Sequence, residues 1–141
     1  MNEAIKDEGL RLGKMKATLV ANAAALRAMR NVPGVNWACC GIYDKQVDIR
    51  LSKEADERVS IRAAMKALRA RKAAKKFDEA TGQVVYTIKA GDVEVIVTAG
   101  VPKRCEVEKV TEEVTIPSAY YPERKETRTR YKLVDPTCVE G

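Results

Sequence analysis

The first thirty residues alternate apolar and polar positions with the period of a helix. An isoleucine and three leucines recur at every seventh position, namely Ile5, Leu12, Leu19 and Leu26. This spacing predicts a helix over residues 3–30 with one apolar face, which ends at the Pro33-Gly34 pair. We expect that face to pack on the chain's own sheet. The alternative is a coiled-coil dimer, in which the polar Asn22 on the same face would fix the register.

Two later segments alternate apolar and polar residues with the period of a strand. In residues 37–51 the apolar positions fall on one face at Val47, Ile49 and Leu51, and in residues 84–97 a turn at Gly91 separates two alternating runs. Strand runs joined by short polar or glycine-containing turns predict hairpins. Each segment is therefore predicted to form one hairpin with a buried face.

A second helix is predicted between the two hairpins. Ser52 is a favourable N-cap residue, and Glu54, Asp56 and Glu57 follow where the helix dipole favours acids. The residues from there to about Lys76 are rich in alanine, lysine and arginine, which favour helices. We expect the helix to run to Lys76.

The last forty residues are polar and rich in threonine and valine. Residues 105–117 and 124–134 are predicted to be extended, with the first strand mainly acidic and the second mainly basic. Opposite charges suit neighbouring strands. This C-terminal β arm is predicted either to fold as a hairpin or to wrap a neighbouring molecule.

These elements together predict an α+β fold of the order helix, hairpin, helix, hairpin. The two hairpins would form a four-stranded, mostly antiparallel sheet covered by both helices, followed by the extended arm. The predicted domain organisation is a compact α+β domain over residues 1–100 and a polar β arm over residues 101–141.

The chain has 141 residues, of which 45% are hydrophobic and only 5% aromatic. That length suits about one domain with a core of aliphatic side chains. No run approaches the roughly 20 apolar residues of a membrane helix, and the first residues lack the order of a signal peptide. We therefore expect a cytoplasmic protein with no membrane partner.

The sequence contains no histidine, which excludes catalytic pairs and metal sites that depend on imidazole. Glycine-rich phosphate-binding motifs are also absent. The four cysteines, which lack the spacing of a zinc site, are expected to be reduced thiols: Cys39, Cys40, Cys105 and Cys138. We accordingly expect no enzymatic activity, no catalytic residue, no metal, no cofactor and no small-molecule substrate.

The formal net charge of +6 is concentrated in the predicted second helix. Residues 53–76 contain nine bases and three acids, whereas the remainder of the chain is balanced. On a helical wheel six bases form a narrow ridge: Arg58, Arg62, Lys66, Arg69, Lys72 and Lys76. Such a ridge indicates an anionic partner, although a charged face can also serve solvation alone.

The predicted arm carries a second set of candidate contact residues. Tyr120 and Tyr121 lie between its strands, and exposed tyrosines are frequent contact residues. Arg128 and Arg130 add basic groups on the second strand.

The sequence thus favours a small, basic, non-catalytic interaction or assembly protein, of the kind common among phage accessory proteins and inhibitors. Its arm would pair with a partner strand, and its ridge would meet an acidic protein surface or support self-association. The alternative function is sequence-independent nucleic-acid binding through the ridge.

Overall fold

The structure, a computed structural model, describes residues 3–41, 44–120 and 122–139, with side chains from residue 9 onward. Its elements in chain order are α1 (Glu3–Met29), β1 (Val35–Cys40), β2 (Gln46–Leu51), α2 (Glu57–Leu68), β3 (Ala73–Asp78), β4 (Gln83–Ala90), β5 (Val93–Ala99), β6 (Val107–Ile116) and β7 (Arg124–Leu133). They divide into two compact units, Met1–Lys76 with Val85–Ala99 and Phe77–Val84 with Gly100–Gly141.

Five strands form one mixed sheet in the order β1-β2-β5-β4-β3. β1 and β2 pair antiparallel, whereas β2 and β5 pair parallel from Gln46 opposite Glu94 to Arg50 opposite Thr98. The two residues Gly91 and Asp92 connect β4 to β5, and Gly91 adopts a φ of +61°. Turns of two residues with positive φ join antiparallel neighbours, so β4 and β5 form a hairpin.

Alternation along the central strands produces the core. Val47 and Ile49 on β2, Ile88 on β4, and Val95 and Val97 on β5 are at most 1% exposed. Residues between them on the same strands are half-buried or exposed. One face of the sheet therefore carries the packed side chains, as the alternation in the sequence predicts.

The face of α1 that packs inside its unit overlaps the predicted face at Asn22 but leaves two of its leucines exposed. The buried positions are Thr18, Asn22, Ala25 and Met29, whereas Leu12 and Leu19 are 53% and 42% exposed. The Asn22 side-chain amide donates to the backbone carbonyls of Gly41 and Asp44, each at 2.9 Å. Asn22 thus ties α1 to the chain between β1 and β2. The expectation that α1 packs on the chain's own sheet is confirmed by its contacts with β1, β2 and β5, but Leu12 and Leu19 stay exposed.

The predicted fold class needs correction. The described residues form two helices and seven strands in two sheets, with five strands instead of four in the main sheet and a parallel pair at its centre. The second helix ends at Leu68, and residues 73–76, predicted as its last turn, belong to β3. The order helix, hairpin, helix, hairpin is therefore wrong.

Tertiary contacts explain why this alanine-rich and lysine-rich segment is a strand. The Lys75 ammonium lies 5.5 Å from the centre of the Tyr86 ring and 3.6 Å from a Glu57 carboxylate oxygen. Helix propensities differ by less than about 1 kcal/mol per ordinary residue, so contacts of this kind outweigh them. Sequence patterns carry no record of such distant partners.

The C-terminal arm folds as a two-stranded antiparallel ribbon of β6 and β7 with continuous register from Val107 opposite Leu133 to Ile116 opposite Arg124. Just outside its strands Cys105 and Cys138 form a disulfide with Cα atoms 5.6 Å apart. The expectation of four reduced thiols is therefore wrong for this pair. Their separation of 33 residues hides the pairing in the sequence, because only the ribbon register brings them together.

Candidate anion-binding surface

Both ends of α2 are fixed by local hydrogen bonds. At the start the Asp56 carboxylate accepts from the Arg58 N–H at 3.1 Å. At the end Arg69 adopts a left-handed φ of 54°, and the Ala70 N–H donates to the Met65 carbonyl at 2.9 Å. This closure ends the helix and orients the residues that follow.

The outward face of α2 is basic. Ser60, Ile61 and Ala64 are the buried residues of the helix, and the positions on the opposite side are Arg58, Arg62 and Lys66, all exposed. These three bases are spaced four residues apart, which corresponds to steps of about 6 Å along the axis. They form a slanted row of cationic groups over about two helical turns.

Three more bases follow in the segment between α2 and β3. Arg69, Arg71 and Lys72 are exposed there. No acidic residue occurs from Arg58 to Phe77 in the sequence. We call the six residues together the basic surface: Arg58, Arg62, Lys66, Arg69, Arg71 and Lys72.

Lys76 belongs to a different face. It follows Lys75 on β3, and successive strand residues point to opposite sides of the sheet. Because the Lys75 ammonium lies against Glu57 and Tyr86, Lys76 points away from α2. The structure therefore keeps three of the six predicted ridge residues, Arg58, Arg62 and Lys66, on one face of α2. Arg69 and Lys72 follow the end of the helix, and Lys76 lies on β3.

A buried polar cluster holds the start of α2 on the sheet. The Tyr86 hydroxyl and the Lys75 ammonium both approach Oε1 of Glu57, while Oε2 of Glu57 is buried without a hydrogen-bond partner among the described residues. A carboxylate between a hydroxyl donor and an ammonium is well satisfied on one oxygen. Sequence reasoning missed this cluster, since it treated Lys75 as part of a helix.

The arm residues have a different electrostatic setting from the basic surface. Arg130 is ion-paired with Glu112, and Arg128 stands directly opposite Glu112 in the strand register. Lys125 also lies 3.9 Å from a Glu113 oxygen. The arm bases therefore have acidic residues on the facing strand, whereas the sequence between Arg58 and Phe77 contains no acid.

The tip of the arm exposes an aromatic side chain. Tyr120 is 90% exposed, and Tyr121, the second predicted contact residue, lies outside the described residues. Beyond the ribbon the Asp135 carboxylate accepts from the Thr137 hydroxyl at 2.7 Å and the Thr137 N–H at 3.0 Å. The two bonds hold the pKa of Asp135 below its usual value, and the bond from the Thr137 hydroxyl has the larger effect.

Sequence reasoning also missed a stacked pair on the sheet face away from the buried side chains. The Arg50 guanidinium lies 4.9 Å from the centre of the Trp37 ring, and the two residues are register partners on β1 and β2. Trp37 is 45% exposed. The alternation in residues 37–51 already places Arg50 on the outward face. The hairpin register would have identified Trp37 as its partner on the neighbouring strand.

The other surface features of the described residues do not indicate a particular ligand. An open groove of about 450 Å³ beside the β4–β5 turn contains acids and bases together, including the Lys45–Asp92 ion pair at 3.4 Å.

Among the described residues there is no group of three side chains suited to a metal ion and no helix long and apolar enough to cross a membrane. Comparison with known proteins finds no matching family model, no matching curated protein and no matching solved structure.

Proposed function

We propose that the chain is a non-catalytic binding protein that docks on the phosphate backbone of duplex nucleic acid through the basic surface. One observation carries the proposal. Six exposed arginine and lysine residues follow one another on α2 and the segment after it, with no acidic residue between Arg58 and Phe77. A series of like charges of this kind attracts a polyanion.

The chemistry of the basic surface suits phosphates. Four of its six residues are arginines, whose planar guanidinium binds phosphate oxygens with two parallel hydrogen bonds. The basic surface also lacks aromatic residues on which unpaired bases could stack. Contacts to phosphates alone fix position without reading sequence, so binding should be insensitive to base sequence.

The local structure supports the same use. Caps at Asp56 and Arg69 and the buried Glu57 cluster hold α2 in place before any partner arrives. A row of charges on a rigid helix loses less conformational entropy on binding than the same charges on a flexible segment.

Strand pairing through the arm remains the second candidate, and one observation favours it. The Val134 N–H donates to the Glu106 carbonyl at 3.0 Å, and these two residues extend the ribbon register by one pair. Because hydrogen-bonded and non-hydrogen-bonded pairs alternate along the ribbon, this bond shows which pairs are hydrogen-bonded. Residues 125, 127 and 129 therefore direct their backbone groups outward, and these groups have no backbone partner among the described residues. A partner strand could pair there.

The test is duplex binding by fluorescence anisotropy over a salt series, with duplexes of unrelated sequence. The variant Arg62→Gln, Lys66→Gln, Arg69→Gln removes three charges from the basic surface. We expect the logarithmic salt slope of the binding constant to become shallower by about 2 to 3, because each lost phosphate contact removes about 0.9.

A matched control removes three charges from the arm in the variant Lys125→Gln, Arg128→Gln, Lys132→Gln. This variant has the same net charge as the first, and we expect it to keep most of the wild-type salt slope. Equal weakening by both variants would mean that net charge alone drives binding. No duplex binding by the wild type at low salt would refute the proposal and leave the arm as the stronger candidate.

A further inference from the structure

The outer edge of β6 carries backbone groups that lack a backbone partner among the described residues. The hydrogen bond between Val134 and Glu106 fixes the alternation along the ribbon, so the odd-numbered residues of β6 direct their N–H and carbonyl groups away from β7. The Tyr131 N–H agrees with this alternation, because it points out of the ribbon and donates to the Glu79 carbonyl at 2.7 Å. We call the five outward-directed residues the β6 edge: Val107, Lys109, Thr111, Glu113 and Thr115.

The outer half of the ribbon has little to stabilise it in an isolated chain. Every residue of β7 from Arg124 to Arg130 is exposed, and on β6 from Thr111 onward only Val114 and Ile116 are half-buried. Hairpins of two strands are marginal in water, whereas three or more strands support one another. A further strand along β6 would supply the missing support.

We propose that the β6 edge pairs antiparallel with the β6 edge of a second copy of this chain, with Thr111 of each copy opposite Thr111 of the other. The two ribbons then form one sheet of four strands, with the two copies of β6 at its centre. A two-fold axis through the Thr111 pair makes both copies use the same residues, as a closed dimer requires. All five residues of the edge take part, which gives about ten backbone hydrogen bonds between the copies.

The charged residues of β6 select this register. With Thr111 at the axis, Lys109 of each copy lies opposite Glu113 of the other, and no two like charges of β6 stand directly opposite each other. Other registers of the same edge move the axis by whole residues. Moving it one residue back places Glu108 opposite Glu112, and moving it one residue forward places Glu112 opposite itself. Like charges in these positions destabilise a sheet.

The opposite face of the four-stranded sheet brings acids of the two copies nearer, and bases of β7 compensate them. Glu108 and Glu112 of different copies would lie diagonally across the interface, roughly 7 to 8 Å apart. Within each ribbon Lys132 stands opposite Glu108, and Arg130 is ion-paired with Glu112. Each acid on this face therefore has a base beside it in its own ribbon.

The outer edge of β7 suits a second copy less well. Part of that edge is occupied, because the Tyr131 N–H is bonded to the Glu79 carbonyl. A two-fold pairing of β7 with itself also places arginine opposite arginine in each register centred on residues 127–129. The proposal is independent of nucleic-acid binding, because no residue of the basic surface takes part.

The first test is sedimentation equilibrium of the full chain over a concentration series, in the background Cys39→Ser, Cys40→Ser. Those are the free cysteines of the described residues, and their replacement prevents dimers held by a disulfide. We expect a mass that approaches twice the chain mass of 15.6 kDa. A mass that stays at one chain, or that rises beyond two, would overturn the closed dimer.

Proline at the axis removes the pairing between copies and leaves the ribbon bonded. Thr111→Pro deletes an N–H that points away from β7, and we expect the dissociation constant to rise by at least about 10-fold, since two backbone hydrogen bonds across the axis are lost. The matched control is Thr129→Pro, because Thr129 is the register partner of Thr111 and directs its N–H outward from β7. This control should remain a dimer. Dissociation by both prolines, or by neither, would contradict the proposal.

The register is tested by exchanging charges, which leaves every backbone group in place. Lys109→Glu alone and Glu113→Lys alone each put two like-charged pairs across the axis, and we expect either variant to raise the dissociation constant by at least about 4-fold. In an equimolar mixture of the two variants, mixed dimers again have opposite charges in both pairs. The mixture should therefore dimerise about as tightly as the chain with both native residues. A mixture that dimerises no better than either variant alone would overturn the register.

Discussion

The buried amide of Asn22 offers a sharp test of how α1 is attached to the sheet. Asn22 is fully buried, and its Nδ2 donates to the carbonyls of Gly41 and Asp44. Its Oδ1 has no hydrogen-bond partner among the described residues. The side chain therefore acts here as a donor only, and an aspartate of nearly equal size would present oxygens to both carbonyls.

The hydrogen bonds and the burial of Asn22 indicate how much unfolding free energy each substitution should remove. Asn22→Ala removes two hydrogen bonds, each worth about 1 kcal/mol net, and opens a small cavity, but it also removes the unsatisfied Oδ1. We expect a loss of about 2 kcal/mol of unfolding free energy. Asn22→Asp at neutral pH also buries a carboxylate against two carbonyl oxygens, and we expect a loss of at least about 4 kcal/mol.

The sign of the pH dependence follows from that burial. Lacking donors, the introduced carboxyl has its pKa raised in the folded state above the unfolded value of about 3.9. The stability of Asn22→Asp relative to Asn22→Ala should therefore fall as pH rises above about 4, by up to about 1.4 kcal/mol per pH unit, until the folded pKa is passed. In acid the two variants should approach each other.

The assay is urea denaturation of both variants from pH 4 to pH 8, followed by the fluorescence of Trp37, the one tryptophan of the sequence. Asn22→Ala serves as the reference at each pH, which removes the pH dependence of all other groups. A constant difference between the variants across this range would refute the idea that Asn22 acts as a donor to the two carbonyls.

Two further predictions concern the second unit. Reduction of the Cys105–Cys138 disulfide, or Cys105→Ser with Cys138→Ser, should lower its stability by about 4 kcal/mol for a loop closed over 33 residues; hydrogen exchange of the β6 and β7 amides measures this, and unchanged protection would contradict it. Asp135 should titrate below its ordinary pKa of 3.8 in an NMR titration because the Thr137 hydroxyl, and then the Thr137 N–H, bind its carboxylate. The associated stabilisation is present above the unfolded pKa and is lost as pH falls through the lowered one. Thr137→Val should return the pKa of Asp135 part of the way, since only the hydroxyl bond disappears.

The sequence predicted correctly those elements whose own apolar and polar residues repeat with the period of a helix or a strand. The helix of residues 3–30 and the strands around Val47, Ile88 and Val95 agree with the structure because their apolar residues repeat with the period of each element. In the strands the alternation also predicts which side faces the core. β3 escaped prediction because its alanines and lysines favour a helix, and its contacts with Glu57 and Tyr86 come from distant segments. The parallel pairing of β2 with β5 leaves no local signature at all.

The sequence likewise placed some residues of the candidate site correctly and others not. Arg58, Arg62 and Lys66 could be placed on one face from their four-residue spacing, since the helix there is real. Lys76 could not be placed correctly, because the helix ends before it. The disulfide depended on the exact register of the ribbon, which sequence reasoning left open between a hairpin and a wrapping arm.

The parallel pairing of β2 with β5 imposes an order on folding. Gln46 pairs with Glu94 and Arg50 with Thr98, so the central pair of the sheet joins segments separated by about fifty residues of chain. On the ribosome β2 is complete long before its neighbour exists. At typical synthesis rates it waits roughly 2 to 10 s for β5 to be made. During that interval β1 and β2 form at most an isolated hairpin with an open inner edge, which is marginal in water and prone to pair with other chains. The core of this protein can therefore close only after most of the chain has been synthesised.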